Sequence, residues 1–198
     1  MMGGGCTMDD EMMGRVNQGY YEGLKSRLTE RGILTYSGEI NEFDVMDFIS
    51  ELEYVRGLGL PKIIIILSSP GGEVHAALGL YDHLCGIIDS GTAVEVRVQG
   101  QAASAASMIV LQAASRRIAT PNSWIHLHEA SGWVGGASNS QIHDTHLYMK
   151  EISEKIYGIL SAKTGMTIDE VVHLIERKEL WLTPTKAKEL NLIDEIGY

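Results

Sequence analysis

Cysteine is scarce in this chain. Cys6 and Cys85 are the two cysteines among 198 residues, and they lie far apart. That leaves no disulfide framework, and a reducing cytoplasm, the expected location, is compatible with it. Positive charge is also short: 16 Lys and Arg stand against 26 Asp and Glu, a net charge of −10. A surface of that sign argues against nucleic-acid binding. No run is long or apolar enough to span a membrane or to act as a signal peptide. The phosphate loop GxxxxGK[ST] is missing, so no nucleotide site of that kind is expected. Internal repeats and linkers are missing too, and the length suits a single domain with a real core.

Residues 1–22 are rich in Gly and Met without periodicity and read as a mobile tail ahead of one domain over 23–198. Strand and helix patterns then alternate. Ile33 to Ile40 alternates like a strand, and Asn41 caps a helix whose apolar side carries Phe43, Met46, Phe48, Ile49, Leu52 and Val55. The unbroken apolar run Ile63 to Leu67 reads as a strand buried on both faces. Helical spacing follows over Val74 to Ile88, then short strands at Val94 to Val98, Arg116 to Ala119 and Trp124 to His128. A long amphipathic helix runs from Ser138 to Ala162, with Ile142, Met149, Ile152, Ile156 and Ile159 on its apolar side. Thr167-Ile168-Asp169-Glu170 has the form of a capping box, and Pro184 opens a last short helix. Such alternation predicts an α/β fold with a largely parallel sheet.

Three segments carry chemistry. Gly100 to Ser107, GQAASAAS, surrounds Ser104 with four alanines between a strand and an apolar helical run. Unpaired backbone N–H groups and the helix dipole at such a junction favour the oxyanion that a serine nucleophile creates. A small-residue helix packed on a sheet produces the same segment. Ser68-Ser69-Pro70-Gly71-Gly72 follows the buried strand, and its glycines permit close backbone approach by a ligand or an ordinary βα turn. Pro121 to His128, PNSWIHLH, ends in a histidine suited to general-base work. His126 lies two residues earlier on the same strand face, so periodicity does not separate the two histidines. As a metal motif, HxH lacks a third ligand at a recognisable spacing.

In this order and spacing the three segments resemble the ClpP family, the proteolytic subunit of the Clp protease, whose pattern reads SPGG, then GxAASMGA, then PNSxxMIH. The likeness runs from about Ile33 to Ile196 and includes the ending Glu189-Leu190-Asn191-Leu192-Ile193-Asp194. The AASAAS variant looks like the divergent phage and prophage branch. The resemblance implies a ClpP/crotonase-like spiral of βα units with a handle helix. It places the nucleophile on Ser104 and the base on His128, with Ser107, three residues along the same helix face, as packing. It also implies an oxyanion hole from the backbone N–H groups of Gly71 and Ala105. Main-chain pairing of an extended substrate falls to Gly71, Gly72, Glu73 and Ala130, which suits degradation of many unfolded chains.

The third triad member is where the chain departs from the family, which has Asp in ERDxFxxA. Here the segment reads Glu176-Arg177-Lys178-Glu179-Leu180-Trp181-Leu182-Thr183. Counting forward from Thr164-Gly165 puts the position on Lys178; counting back from Trp181-Leu182-Thr183 puts it on Glu179. Lysine cannot accept the histidine's N–H, whereas glutamate can, so Glu179 takes the role. With Lys178 there the triad is broken.

The family resemblance further implies self-assembly into stacked heptameric rings, a homo-oligomeric tetradecamer. It implies a partner AAA+ unfoldase that uses the ATP, with no cofactor in this chain. Glu129 to Asn139, with Gly132, Gly135 and Gly136, matches the handle where rings meet, and Trp133 and Val134 would be covered there; a surface loop is the plainer reading. His143 and His146 read as a solvated or interface face. The expected activity is serine endopeptidase, without membrane or nucleic-acid partners. The alternatives are a catalytically impaired structural subunit of a mixed ring and a crotonase-type acyl-CoA enzyme, which shares the spiral and the glycine-rich loops but needs no Ser–His pair.

Overall fold

The computed structural model describes residues 21–131 and 138–198. Of the expected tail, 1–20 lie outside these residues, while 21 and 22 belong to a helical stretch, α1, over 21–29. Gly132, Trp133, Val134, Gly135 and Gly136 of the expected handle also lie outside.

The sheet is built from apolar runs. β1 (Ile33–Ser37) pairs in parallel with β2 (Lys62–Ser69), and β2 with β3 (Ala93–Ala103). Ile63, Ile65 and Leu67 of β2 are fully buried on one face, whereas Ile64 and Ile66 on the other are only partly covered, so the expected burial on both faces is met on one. β3 is long and changes partner along its length. Glu95 to Val98 pair with β4 (Arg116–Ala119), while Gln101 to Ala103 pair with β5 (Trp124–His128). Between the two stretches stands Gly100, at φ 83°, a conformation a side chain rarely permits. The sheet therefore forks at Gly100, and the second branch carries the ends of β3 and β5 to one place.

β6 (Glu179–Leu182) adds antiparallel to β5, and β7 (Glu195–Ile196) adds parallel to β4. The sequence reading placed no strand at either position. Both are short edge additions, specified by their partners more than by their own patterning.

Helices cover the sheet. α2 (Glu42–Gly57) starts where the Asn41 side chain accepts from the Asp44 N–H at 2.9 Å. Its core face is Val45, Phe48, Leu52 and Val55; Phe43 and Met46, expected inside, are 83% and 57% exposed. α3 (Val74–Asp89) buries Ala77, Leu80, Leu84 and Ile87. After Ser104 the chain enters a π-helical turn (Ala106–Val110) that runs into α4 (Leu111–Ala113), all of it buried. α5 (Asn139–Thr164) begins at a Ser138–Gln141 capping box and ends at Gly165 in the left-handed conformation. Its buried residues, Ile152, Ile156, Leu160 and Thr164, lie in the C-terminal half, whereas Ile142 is exposed. α6 (Ile168–Ile175) has the expected Thr167–Glu170 capping box, and α7 (Pro184–Glu189) has Pro184 in its first turn. Among the described residues no helix is long and apolar enough to cross a membrane.

Candidate active site

Ser104 is the residue after β3, and its backbone sits at φ 53°, where a side-chain-bearing residue is strained. The strain is held from both sides. The Ser104 N–H donates to the His126 carbonyl at 3.1 Å, and the Ser104 carbonyl accepts from the N–H groups of Ser107 and Met108. The small residues around it have a geometric reason. A Cβ on Gly71 would lie 2.6 Å from the Ala103 carbonyl oxygen and 2.7 Å from the Ser104 Cβ, so the glycine turn presses directly on the serine.

His128 closes β5, and its Nε2 lies 2.7 Å from the Ser104 Oγ. The fork in the sheet makes this contact, because β3 and β5 are parallel neighbours and both residues stand at their C-terminal ends. Ser107 is fully buried, with its hydroxyl in reach of the Ser104 and His126 carbonyls; it belongs to the framework. Gly72, Ser104, Ala105, His128, Ala130 and Ile156 line one small cavity over the pair.

Ala105 caps the π-helical turn, and its N–H has no acceptor among the described residues. The Gly71 N–H, the other expected oxyanion donor, donates to the Ser69 Oγ at 3.1 Å. Ser69, fully buried, is a site neighbour that motif reading passed over; its place two residues before Gly71 was the available signal. The glycine segment is also paired already on one side: the Ile40 N–H donates to the Gly71 carbonyl and the Glu73 N–H to the Ile40 carbonyl, each at 2.8 Å. Pairing of that kind turns the N–H and carbonyl of Gly72 toward the opposite edge, the side of the cavity. Of the expected substrate-pairing residues, Gly72 and Ala130 line that cavity, whereas the Glu73 N–H is taken.

The third member differs from the expected pairing. Glu179 stands opposite His128 in the β5–β6 ladder, yet its Oε2 lies 2.8 Å from Nε2 of His126. Among the described residues no carboxylate hydrogen-bonds to the His128 ring. His126, 7% exposed, is stacked between Trp181, with ring centroids 4.2 Å apart, and His128, at 5.3 Å. Burial pushes its imidazole below the ordinary histidine range, with the neighbouring His128 adding to that effect and the Glu179 hydrogen bond opposing it. Lys178 is elsewhere: its Nζ donates to the carbonyls of His173 and Leu174 at the C-terminal end of α6. Lys178 lies beyond the end of α6 with its side chain folded back on it, and Glu179 opens β6. Among the described residues no cluster of three His, Cys, Asp or Glu side chains could hold a metal ion.

The family model for Clp protease matches residues 17–198. The chain is 31% identical over 173 residues to an ATP-dependent Clp protease proteolytic subunit of Bacteroides fragilis, covering 86% of this chain and 81% of that one. It is 31% identical over 179 residues to the ATP-dependent Clp protease proteolytic subunit 1 of Chlamydia pneumoniae, covering 87% and 90% of the two chains. The corresponding subunit of Chlamydia caviae is 32% identical over 167 residues, covering 81% and 84%. A parallel α/β fold with a serine hydroxyl set against an imidazole fits this company, and the chain belongs to the Clp protease family. That membership points to a peptidase.

Proposed function

We propose that this chain is a serine endopeptidase subunit that hydrolyses peptide bonds of unfolded polypeptides inside an oligomeric chamber. The observation that carries the reading is the 2.7 Å contact between Ser104 Oγ and His128 Nε2 at a serine of positive φ. Ser104 Oγ attacks the scissile carbonyl carbon while His128 Nε2 takes its proton. The carbonyl electron pair moves onto oxygen, which the Ala105 N–H receives; the Gly71 N–H joins by turning from Ser69. As the intermediate collapses, the C–N bond breaks and His128 returns the proton to the leaving amine. Water then releases the acyl group by the same steps. Gly72 and Ala130 pair with the extended substrate through main-chain groups, which demands little of its sequence.

Rings of seven stacked in pairs, a cytoplasmic setting and an ATP-using AAA+ unfoldase belong to this reading as family expectations. The relatives' names include ATP dependence, and this chain has no phosphate loop of its own. One observation favours a second reading, a structural subunit of a mixed ring: the His128 ring has no carboxylate partner among the described residues. Peptidase assays separate the two. Ser104→Ala and His128→Ala should each abolish cleavage of a short fluorogenic peptide in a homo-oligomer that wild type cleaves. A wild-type assembly inert toward peptides supports the structural reading.

A further inference from the structure

We propose that Glu179 is a carboxylate shared between two histidines, parked on His126 in the resting site and able to move to His128, so that His126 is a positioning residue for the catalytic pair. The inference rests on the assignment of Ser104 and His128 to catalysis.

Strand register supplies the geometry. In the antiparallel pair of β5 and β6, His128 faces Glu179 and His126 faces Trp181. Alternate residues share a face, so His126, His128, Glu179 and Trp181 form one patch. Directly opposite Cβ atoms lie about 4.5–5.5 Å apart and diagonal neighbours about 7–8 Å. Glu179 therefore has His128 as its near neighbour and His126 as its far one, yet its carboxylate takes the far one. The length of glutamate makes the diagonal reachable; an aspartate on the same backbone would be confined to the near side.

The two partners differ in freedom. His126 is packed on both ring faces, stacked between Trp181 and His128, while its own carbonyl accepts from the Ser104 N–H. The Glu179 side chain is 72% exposed, so moving between the histidines needs only side-chain rotation. The chemistry also favours the move at the right moment. Burial disfavours the charged form of His126, which works against a doubly charged bond between it and Glu179. When His128 takes the Ser104 proton it becomes a cation, and a hydrogen bond between two charged groups is the stronger of the two. The other charged groups near the switch are Glu129, Arg177 and Lys178. Glu129 accepts from the Arg177 N–H, and Lys178 is held at the end of α6. Arg177, Lys178, Glu129, His128 and Glu179 line one open cavity, through which the carboxylate can swing.

Glu179→Asp tests the idea at an exposed position where folding is not at risk. Histidine-ring NMR titrations of the full chain follow both imidazoles. In Glu179→Asp the midpoint of His128 should move to higher pH by about half a unit or more, because a carboxylate beside an imidazole favours its charged form. The His126 midpoint should move to lower pH, because its carboxylate is gone. In Glu179→Gln only the His126 shift should appear. The rate of Ser104 modification by a fluorophosphonate supplies the second readout. In that step the Oγ–P bond forms, the P–F bond breaks and the Oγ proton passes to His128. Glu179→Asp should speed it about threefold or more, as a better-placed base partner does. His126→Met, which fills the same slot without holding the carboxylate, should do likewise, and the double variant His126→Met/Glu179→Gln should lose the gain. A His128 midpoint that does not rise in Glu179→Asp overturns the sharing. So does a gain in His126→Met that persists without Glu179. A raised His128 midpoint with no Ser104 labelling leaves the sharing intact and refutes the catalytic assignment.

Discussion

Ser107 is tied to His126: its hydroxyl lies within hydrogen-bond reach of the His126 carbonyl, which also accepts from the Ser104 N–H. One backbone oxygen on β5 thus anchors both the strained serine and the helical turn behind it. Ser107→Ala should cost stability of about 1 kcal/mol, the usual worth of one buried hydrogen bond, while Ser104 labelling continues. Thermal denaturation beside fluorophosphonate labelling checks both halves. Loss of labelling without loss of stability contradicts the framework role.

Gly71 tolerates no side chain. A Cβ there would meet the Ala103 carbonyl and the Ser104 Cβ inside 2.8 Å, at φ 94°. Gly71→Ala should destabilise the fold by about 2 kcal/mol or more. Labelling at a temperature where the variant is still folded should be lost as well, because relief of the clash displaces Ser104. Unchanged labelling in a folded Gly71→Ala variant contradicts the contact.

Acid should weaken the tie between the C-terminal end and β4. Asp194 is paired with Arg117, Oδ1 to Nη2 at 2.6 Å, and Arg117 also donates to the buried Gln112. Burial pushes the Asp194 carboxyl up, but the Arg117 hydrogen bonds and charge outweigh it and hold the group below its usual range. A carboxyl depressed in the folded state stabilises above its unfolded midpoint and loses that contribution as pH falls through the folded one. Asp194→Asn should therefore lower Tm at neutral pH, with the gap to wild type closing toward strongly acid pH. A gap that stays constant across pH contradicts the linkage.

Lys178 should matter little to chemistry. Its Nζ caps the carbonyls that end α6, so Lys178→Ala should cost about 0.5 kcal/mol, typical of a cation at a helix C-terminus. Labelling rates should match wild type. A large rate change would place Lys178 in the site after all.

Much of this arrangement was legible in sequence because it is local. The Thr167–Glu170 capping box, the proline opening α7 and the apolar run of β2 follow from neighbouring residues alone, and the motifs together with the family resemblance brought Ser104 and His128 forward. The rest depends on the third dimension. β6 has four residues and a mostly open face, and it exists through its pairing with β5. Whether Glu179 reaches across to His128 or diagonally to His126 is a matter of side-chain length against strand register. Phe43 and Met46 have apolar spacing but face outward, since periodicity reports apolar character and not what covers it.

The central claim is the pairing of Ser104 with His128 as nucleophile and base. Fluorophosphonate labelling of the wild-type chain, followed by mass mapping of the modified peptide, tests it most directly. The account predicts one label per chain, on Ser104, lost in Ser104→Ala and strongly slowed in His128→Ala. A label on Ser107 or elsewhere, or one that survives in Ser104→Ala, would contradict it.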